Sequence, residues 1–331
     1  MRIIFAGTPE PAAVVLRRLV EGGEHEVAAV LTQPDAPRGR GRTVHPSAVA
    51  AVAAEYDLPV HKFPGLRDDA PREVLRALAA DGAEAVAVVA YGTLIPADLL
   101  DVVTHGWINL HFSLLPRWRG AAPVQAAIAA GDEVTGATTF RIEEGLDTGP
   151  VLGTVTAPVT REDTADDLLT RLTYAGRDLM VDTLTGLAEG TVVPRPQPDE
   201  GVTHAGKIRT ADARIDWTRP AEVIQRTVRA HTPAPGAWTM LDGQRHKIGG
   251  VAVADPGAVG GAADATGVTA PAPGEIRVVD GRVLVGTGEG VLEVLEIQAP
   301  GKRMTDAPAW ARGARALSGT SGSPARFETE D

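Results

Sequence analysis

Along the first half of the chain, short apolar runs alternate with stretches of helical period. Residues 2–6 read as a buried strand, and 9–21 as a helix with Ala13, Leu16, Leu19 and Val20 on one side. Further strands are predicted at 27–31, 58–62, 85–90 and Trp107–His111, with helices at 46–56, 71–80 and 121–130 between and after them. This order predicts an α/β domain of Rossmann-like architecture, a parallel sheet with helices on both faces. Segments 136–143 and 151–159 predict a more antiparallel addition, and 164–188 a long helix.

The pattern breaks at the proline-rich stretch 191–199, because proline fixes φ and removes a backbone donor. We expect a first domain at 1–190 and a linker at 191–210. Beyond it one helix, Ala221–Ala230, precedes short strands at 237–241, 245–253, 274–279, Arg282–Gly286 and 291–297. Asp242-Gly243 and Asp280-Gly281 are hairpin signals. These features predict a small OB-like β-barrel at 211–317. The Gly-, Ala- and Pro-rich segment 257–269 is expected to be a flexible insertion loop, and 318–331 a disordered tail.

A chain of 331 residues is long for one core, which agrees with two domains. No apolar run is long enough for a membrane span and no secretory leader is visible, so no membrane partner and a cytoplasmic location are expected. Cysteine is absent, which excludes disulfides, Cys-ligated zinc and a thiolate nucleophile. The net charge of −11 argues against a nucleic-acid partner until its distribution is considered. Residues 1–205 carry 17 Lys+Arg against 28 Asp+Glu, whereas 206–331 carry 15 of each. RNA contact would therefore use local basic clusters.

Phosphate-loop, dinucleotide-fingerprint and zinc-protease motifs are missing, and neither Ser47 nor Ser113 sits in a nucleophile elbow. What remains is the segment 108–120. Asn109 and His111 lie two apart on a predicted strand, so both side chains point to one face at the strand end where α/β sheets bind ligands. Asp147 lies in a tight loop between Gly145 and Gly149. Taken singly, these are a structural histidine and a turn aspartate. Together they suit attack by a substrate amine on a formyl or acyl carbon. Asn109 and a protonated His111 would stabilise the oxyanion, with Asp147 raising the histidine pKa and orienting the ring.

The string Asn109-x-His111-x-Ser113-Leu114-Leu115-Pro116-x-x-Arg119-Gly120, with Asp147, resembles the signature of the folate-dependent formyltransferases. The resemblance implies 10-formyltetrahydrofolate as formyl donor, no metal, and Asn109, His111 and Asp147 as catalytic residues. It places Ser113, Leu114, Leu115 and Pro116 beside the folate, with Val89 and Tyr91 in the pterin pocket. Residues 4–10, 32–41, 120–123, 207–217 and 301–304 are similar to the branch of that family whose acceptor is initiator methionyl-tRNA, and a monomer is implied. Phe112, where a smaller residue is usual, and the all-arginine basic loop are departures that remove no catalytic group.

The loop itself, with Arg38, Arg40 and Arg42 alternating with glycines, suits phosphate contacts, although a solvated basic loop is the plainer alternative. Lys207, Lys302 and Arg303 are further candidates for tRNA contact. A small amine or water as acceptor, or a non-catalytic RNA-binding protein on the same fold, remain as rivals at this point.

Overall fold

The computed structural model describes residues 1–38, 43–255, 271–314 and 324–329, the Arg38 side chain excepted. The chain divides into two compact units. One comprises Met1–Pro123, Glu133–Val159 and Asp167–Gly206; the other comprises Val124–Asp132, Thr160–Asp166 and Lys207–Asp331.

In the first unit, seven strands form one sheet in the order Val151–Pro158, Val134–Arg141, Trp107–His111, Ala85–Val89, Arg2–Gly7, Glu26–Thr32, Val60–Lys62. The last five are parallel and the first two antiparallel, as the sequence predicts. Ile3, Ile4, Phe5, Val86 and Val89 are fully buried, which matches strands covered on both faces. The chain order reverses between Arg2–Gly7 and Ala85–Val89, so a crevice is expected outside their carboxyl ends. Thr8 closes it on one side by donating its hydroxyl to the Tyr91 carbonyl at 3.0 Å.

The long helix Ala165–Ala188 lies close to the strand that carries His111. A Cβ added to Gly176 would meet Leu110 Cδ2 at 2.9 Å, so glycine is what permits this approach. The expected linker 191–210 requires correction, since residues up to Gly206 are part of the first unit. Arg195 exchanges two backbone hydrogen bonds with Val151, each 2.8 Å, and His204–Ala205 pairs with Arg119–Gly120. Prolines at 194, 196 and 198 prevent a regular ladder, but the residues between them still bond edge-on.

The second unit holds two four-stranded antiparallel sheets. Trp238–Leu241, Gln244–Ile248, Glu296–Gln298 and Thr305–Asp306 form one; Val251–Val253, Val291–Val294, Arg282–Gly286 and Ile276–Val279 form the other. The predicted strands 245–253 and 291–297 each split, at Gly249-Gly250 and at Leu295, and pass from one sheet to the other. Such corners are how a small antiparallel barrel turns. The expected insertion loop 257–269 lies outside the described residues.

The expected disordered tail also requires correction over 324–329. Phe327 is fully buried and stacks on Trp217 at 5.2 Å between ring centroids, with Trp310 at 6.5 Å. Backbone bonds from Phe327 to Gly274 and from Glu328 to Met240 fasten the segment. One aromatic residue in a polar stretch anchors it without producing a readable pattern. Among the described residues, no helix is long and apolar enough to cross a membrane.

Candidate active site

Asn109, His111 and Asp147 line a single cavity of about 550 Å³ in the first unit, with Val88, Tyr91 and Ile142 on its walls. The strand Trp107–His111 supplies the first two, and the loop after Val134–Arg141 supplies the third. Asp147 adopts φ 52°, a conformation that ordinary side chains rarely take. Two neighbours hold it there. The Gly120 N–H donates to its Oδ2 at 2.7 Å, and the Gln197 side-chain amide donates to the carbonyls of Asp147 and Gly149, both at 2.8 Å. Gln197 is itself gripped by Arg119, at 3.0 and 2.7 Å.

His111 is only 6% exposed. Its Nε2 lies 2.9 Å from the Trp118 carbonyl oxygen, which can only accept, so Nε2 carries the proton of the neutral ring. Its Nδ1 is then a bare lone pair, 3.7 Å from Asp147 Oδ2. Burial pulls the His111 pKa below the ordinary histidine value, against the upward pull of Asp147 and then of the Trp118 carbonyl. The expected protonated His111 is thereby corrected. Desolvation of a nearly enclosed ring outweighs one carboxylate at that separation, and the resting imidazole is neutral.

Asn109 is partly exposed, and its amide makes no hydrogen bond among the described residues. Tyr91 also lines the cavity. Among the described residues its buried hydroxyl lacks a partner with full hydrogen-bond geometry, and burial pushes its pKa up to about 12. The Thr93 side chain pulls the other way, and its hydroxyl also accepts from Gln33 at 2.5 Å.

Other expected donor contacts are not on the cavity wall. Val89 is fully buried within the sheet, and Ser113 is buried with its hydroxyl donating to the Arg117 carbonyl at 2.6 Å. Leu114, Leu115 and Pro116 belong to the same turn and are likewise off the wall. Thr138 braces this turn, donating to the Ser113 carbonyl at 2.7 Å and accepting from Leu115 N–H at 3.3 Å. These residues shape the turn that delivers the Trp118 carbonyl to His111.

Arg40 and Arg42 lie outside the described residues, as does the Arg38 side chain; the loop's flanks, Ala36–Arg38 and Thr43–His45, pair as a hairpin. Lys207, Lys302 and Arg303 are exposed on the second unit. Sequence reasoning missed Gln197 and Thr203, whose hydroxyl accepts from Trp118 N–H at 2.8 Å. A lone glutamine between prolines was the only available signal. Among the described residues, no group of three or more His, Asp or Glu side chains is placed to hold a metal ion.

A family model described as Formyl transferase matches residues 1–184, and one described as Formyl transferase, C-terminal domain, matches 207–315. The chain is 59% identical over 322 residues to a methionyl-tRNA formyltransferase of Corynebacterium jeikeium, covering 96% of each chain. It is 54% identical over 336 residues to one of Acidothermus cellulolyticus, covering 99% of this chain and 100% of that protein. An N-formyltransferase structure from Helicobacter canadensis shares the fold, with a TM-score of 0.63 at 14% identity over 88% of this chain and 98% of that one. A family match over both halves and full-length relatives above half identity place the chain in the formyltransferase family, in the branch of the methionyl-tRNA formyltransferases.

Proposed function

We propose that this chain transfers a formyl group from 10-formyltetrahydrofolate to the α-amino group of methionyl-initiator-tRNA, for translation initiation. The observation that carries this reading is the union of a free amide, a neutral imidazole with a bare Nδ1, and a carboxylate on one cavity wall. The full-length relatives named above support the choice of acceptor.

The cavity fits a pterin-bearing donor. Its volume lies in the usual range for small-molecule sites. Its walls combine apolar Val88, Leu94, Ile95 and Ile142 with the buried Tyr91 hydroxyl, which can donate to a ring heteroatom. When bound, the donor supplies an electrophilic formyl carbon. Asn109 offers an N–H to the oxygen that gains charge as the amine attacks. His111 Nδ1 accepts the proton that the amine loses, Asp147 stabilises the imidazolium so formed, and as the tetrahedral adduct collapses the imidazolium returns that proton to N10 of the donor, whose bond to the formyl carbon breaks to release tetrahydrofolate. Gly120, Gln197 and Arg119 keep Asp147 in place for that moment.

In this reading Ser113, Leu114, Leu115, Pro116 and Val89 serve the donor site through the turn and the sheet. Arg38, Arg40, Arg42, Lys207, Lys302 and Arg303 contact tRNA phosphates. The enzyme acts as a monomer in the cytoplasm.

The test is formyl transfer from 10-formyltetrahydrofolate to methionyl-initiator-tRNA, with methionyl-elongator-tRNA as control. Transfer to the initiator alone is expected. Transfer to neither, with folate still bound, would overturn the acceptor and leave the donor.

A further inference from the structure

Gln33 has no role in these assignments. It is the first residue after the strand Glu26–Thr32 and stands at the root of the basic loop. Its amide reaches instead to the wall of the cavity in the first unit. The amide nitrogen donates to Thr93 Oγ1 at 2.5 Å and, at a longer 3.5 Å, to the Tyr91 carbonyl. A carbonyl oxygen only accepts, so the N–H end of the amide is the end that faces this segment. The same Tyr91 carbonyl accepts from the Thr8 hydroxyl at 3.0 Å. Residues 90–95 all line the cavity. Their wall is therefore tied to the ends of two neighbouring strands, to Arg2–Gly7 through Thr8 and to Glu26–Thr32 through Gln33.

The wall needs such ties. Ala90 has φ 45° and Gly92 φ 80°, both in the left-handed region. Glycine takes that conformation freely, whereas alanine keeps it only where its surroundings over-determine it. Gln33 is itself firmly mounted. The preceding Thr32 is fully buried, and its hydroxyl shares a hydrogen bond of 2.7 Å with that of Ser47. Ser47 in turn caps the helix Ala48–Glu55, accepting from the Ala50 N–H at 3.0 Å. Two residues beyond Gln33, Asp35 pairs with Lys62 of the next strand at 2.6 Å.

We propose that Gln33 is a positioning residue for the formyl donor, its amide holding residues 90–93 in the conformation that the donor meets; the inference rests on the donor occupying this cavity. Gln33 does not line the cavity itself, so it acts through Tyr91 and Thr93. Its loss therefore weakens donor binding and spares the chemical step once the donor is bound. Its place in the chain points to the opposite duty, service to the RNA acceptor beside the loop arginines. The experiment separates the two.

Formyl transfer by the full chain is measured with 10-formyltetrahydrofolate varied at saturating methionyl-initiator-tRNA, and then with the tRNA varied at saturating donor. Tetrahydrofolate binding is followed by calorimetry in the same preparations. Gln33→Ala is expected to raise KM for the donor and Kd for tetrahydrofolate by roughly three- to tenfold, the worth of one hydrogen bond. Its kcat and its KM for tRNA should stay within about twofold of wild type, since only ground-state binding of the donor is lost. Thr93→Val removes the other partner of the same contact, so the double variant should be no worse than the weaker single. Thr93→Ser keeps the hydroxyl and should recover most of the loss. If Gln33→Ala fails to fold, Thr93→Val and Thr93→Ser carry the test. A rise confined to KM for tRNA, additive losses in the double variant, or unchanged donor binding in folded variants would overturn this inference alone, provided that the wild type binds tetrahydrofolate. A wild type that binds none would overturn the assignment of the cavity to the donor as well.

Discussion

In the cleft of the first unit, His111 and Asp147 are largely enclosed and tied to backbone groups, while the Asn109 amide is left open to a substrate. On the second unit's surface around Trp238, guanidinium groups lie beside an aromatic ring. His111 shows the first style, with one nitrogen bonded to a carbonyl and its proton affinity lowered by burial. Arg245 shows the second, exposed and, among the described residues, steadied by its ring contact. The contrast follows from what each side chain needs. Moving a proton requires a defined protonation state, which burial enforces. A guanidinium keeps its charge in water and needs no such enclosure.

The sharpest way to break this comparison is to remove the groups in the cleft. Asn109→Ala and His111→Ala are each expected to lower kcat by about 10²- to 10³-fold, with unfolding midpoints close to wild type; single-turnover assays and denaturant melts check this. Next in size is Phe327→Ala. It should cost about 3–5 kcal/mol in urea unfolding, because a stacked, fully buried ring leaves a cavity. An effect near zero would restore the disordered tail.

Gly120→Ala is expected to do moderate harm to stability and kcat together. A Cβ there would lie 2.4 Å from the Ala205 carbonyl oxygen at φ 119°, so the N–H that holds Asp147 must shift. Smallest is Gln197→Ala, for which we expect roughly a tenfold loss in kcat, about 1.4 kcal/mol, with KM for folate little changed. A substitution without effect would mean that Asp147 holds its conformation unaided.

Much of the fold and part of the site are legible in the sequence. The strands carrying Val86 and Asn109 are visible because buried strands read as apolar runs, and the Asn-x-His spacing places two polar groups on one face. The Gly-rich setting of Asp147 foretells a tight loop. The share of the site built by Gln197 and Thr203 is not legible, because pairing across 48 to 85 residues leaves no local period. The protonation of His111 is hidden for a related reason. A carboxylate in a motif is visible in sequence, but the depth of burial that outweighs it is set by packing. Phe327 shows the same limit, since one anchoring ring resembles any tail residue until its partners Trp217 and Trp310 are in place.

The central claim is that His111, one of eight histidines, rests as a neutral ring protonated on Nε2 and accepts the amine's proton at Nδ1. Nitrogen-resolved NMR of the imidazoles between pH 5 and 8 tests it directly, with His111→Ala to assign the signal. We predict a ring that is neutral at pH 6.5, carries its proton on Nε2 and protonates only below the ordinary histidine range, lower still in Asp147→Asn. An imidazolium that persists at pH 7, or a neutral ring with its proton on Nδ1, would contradict the account.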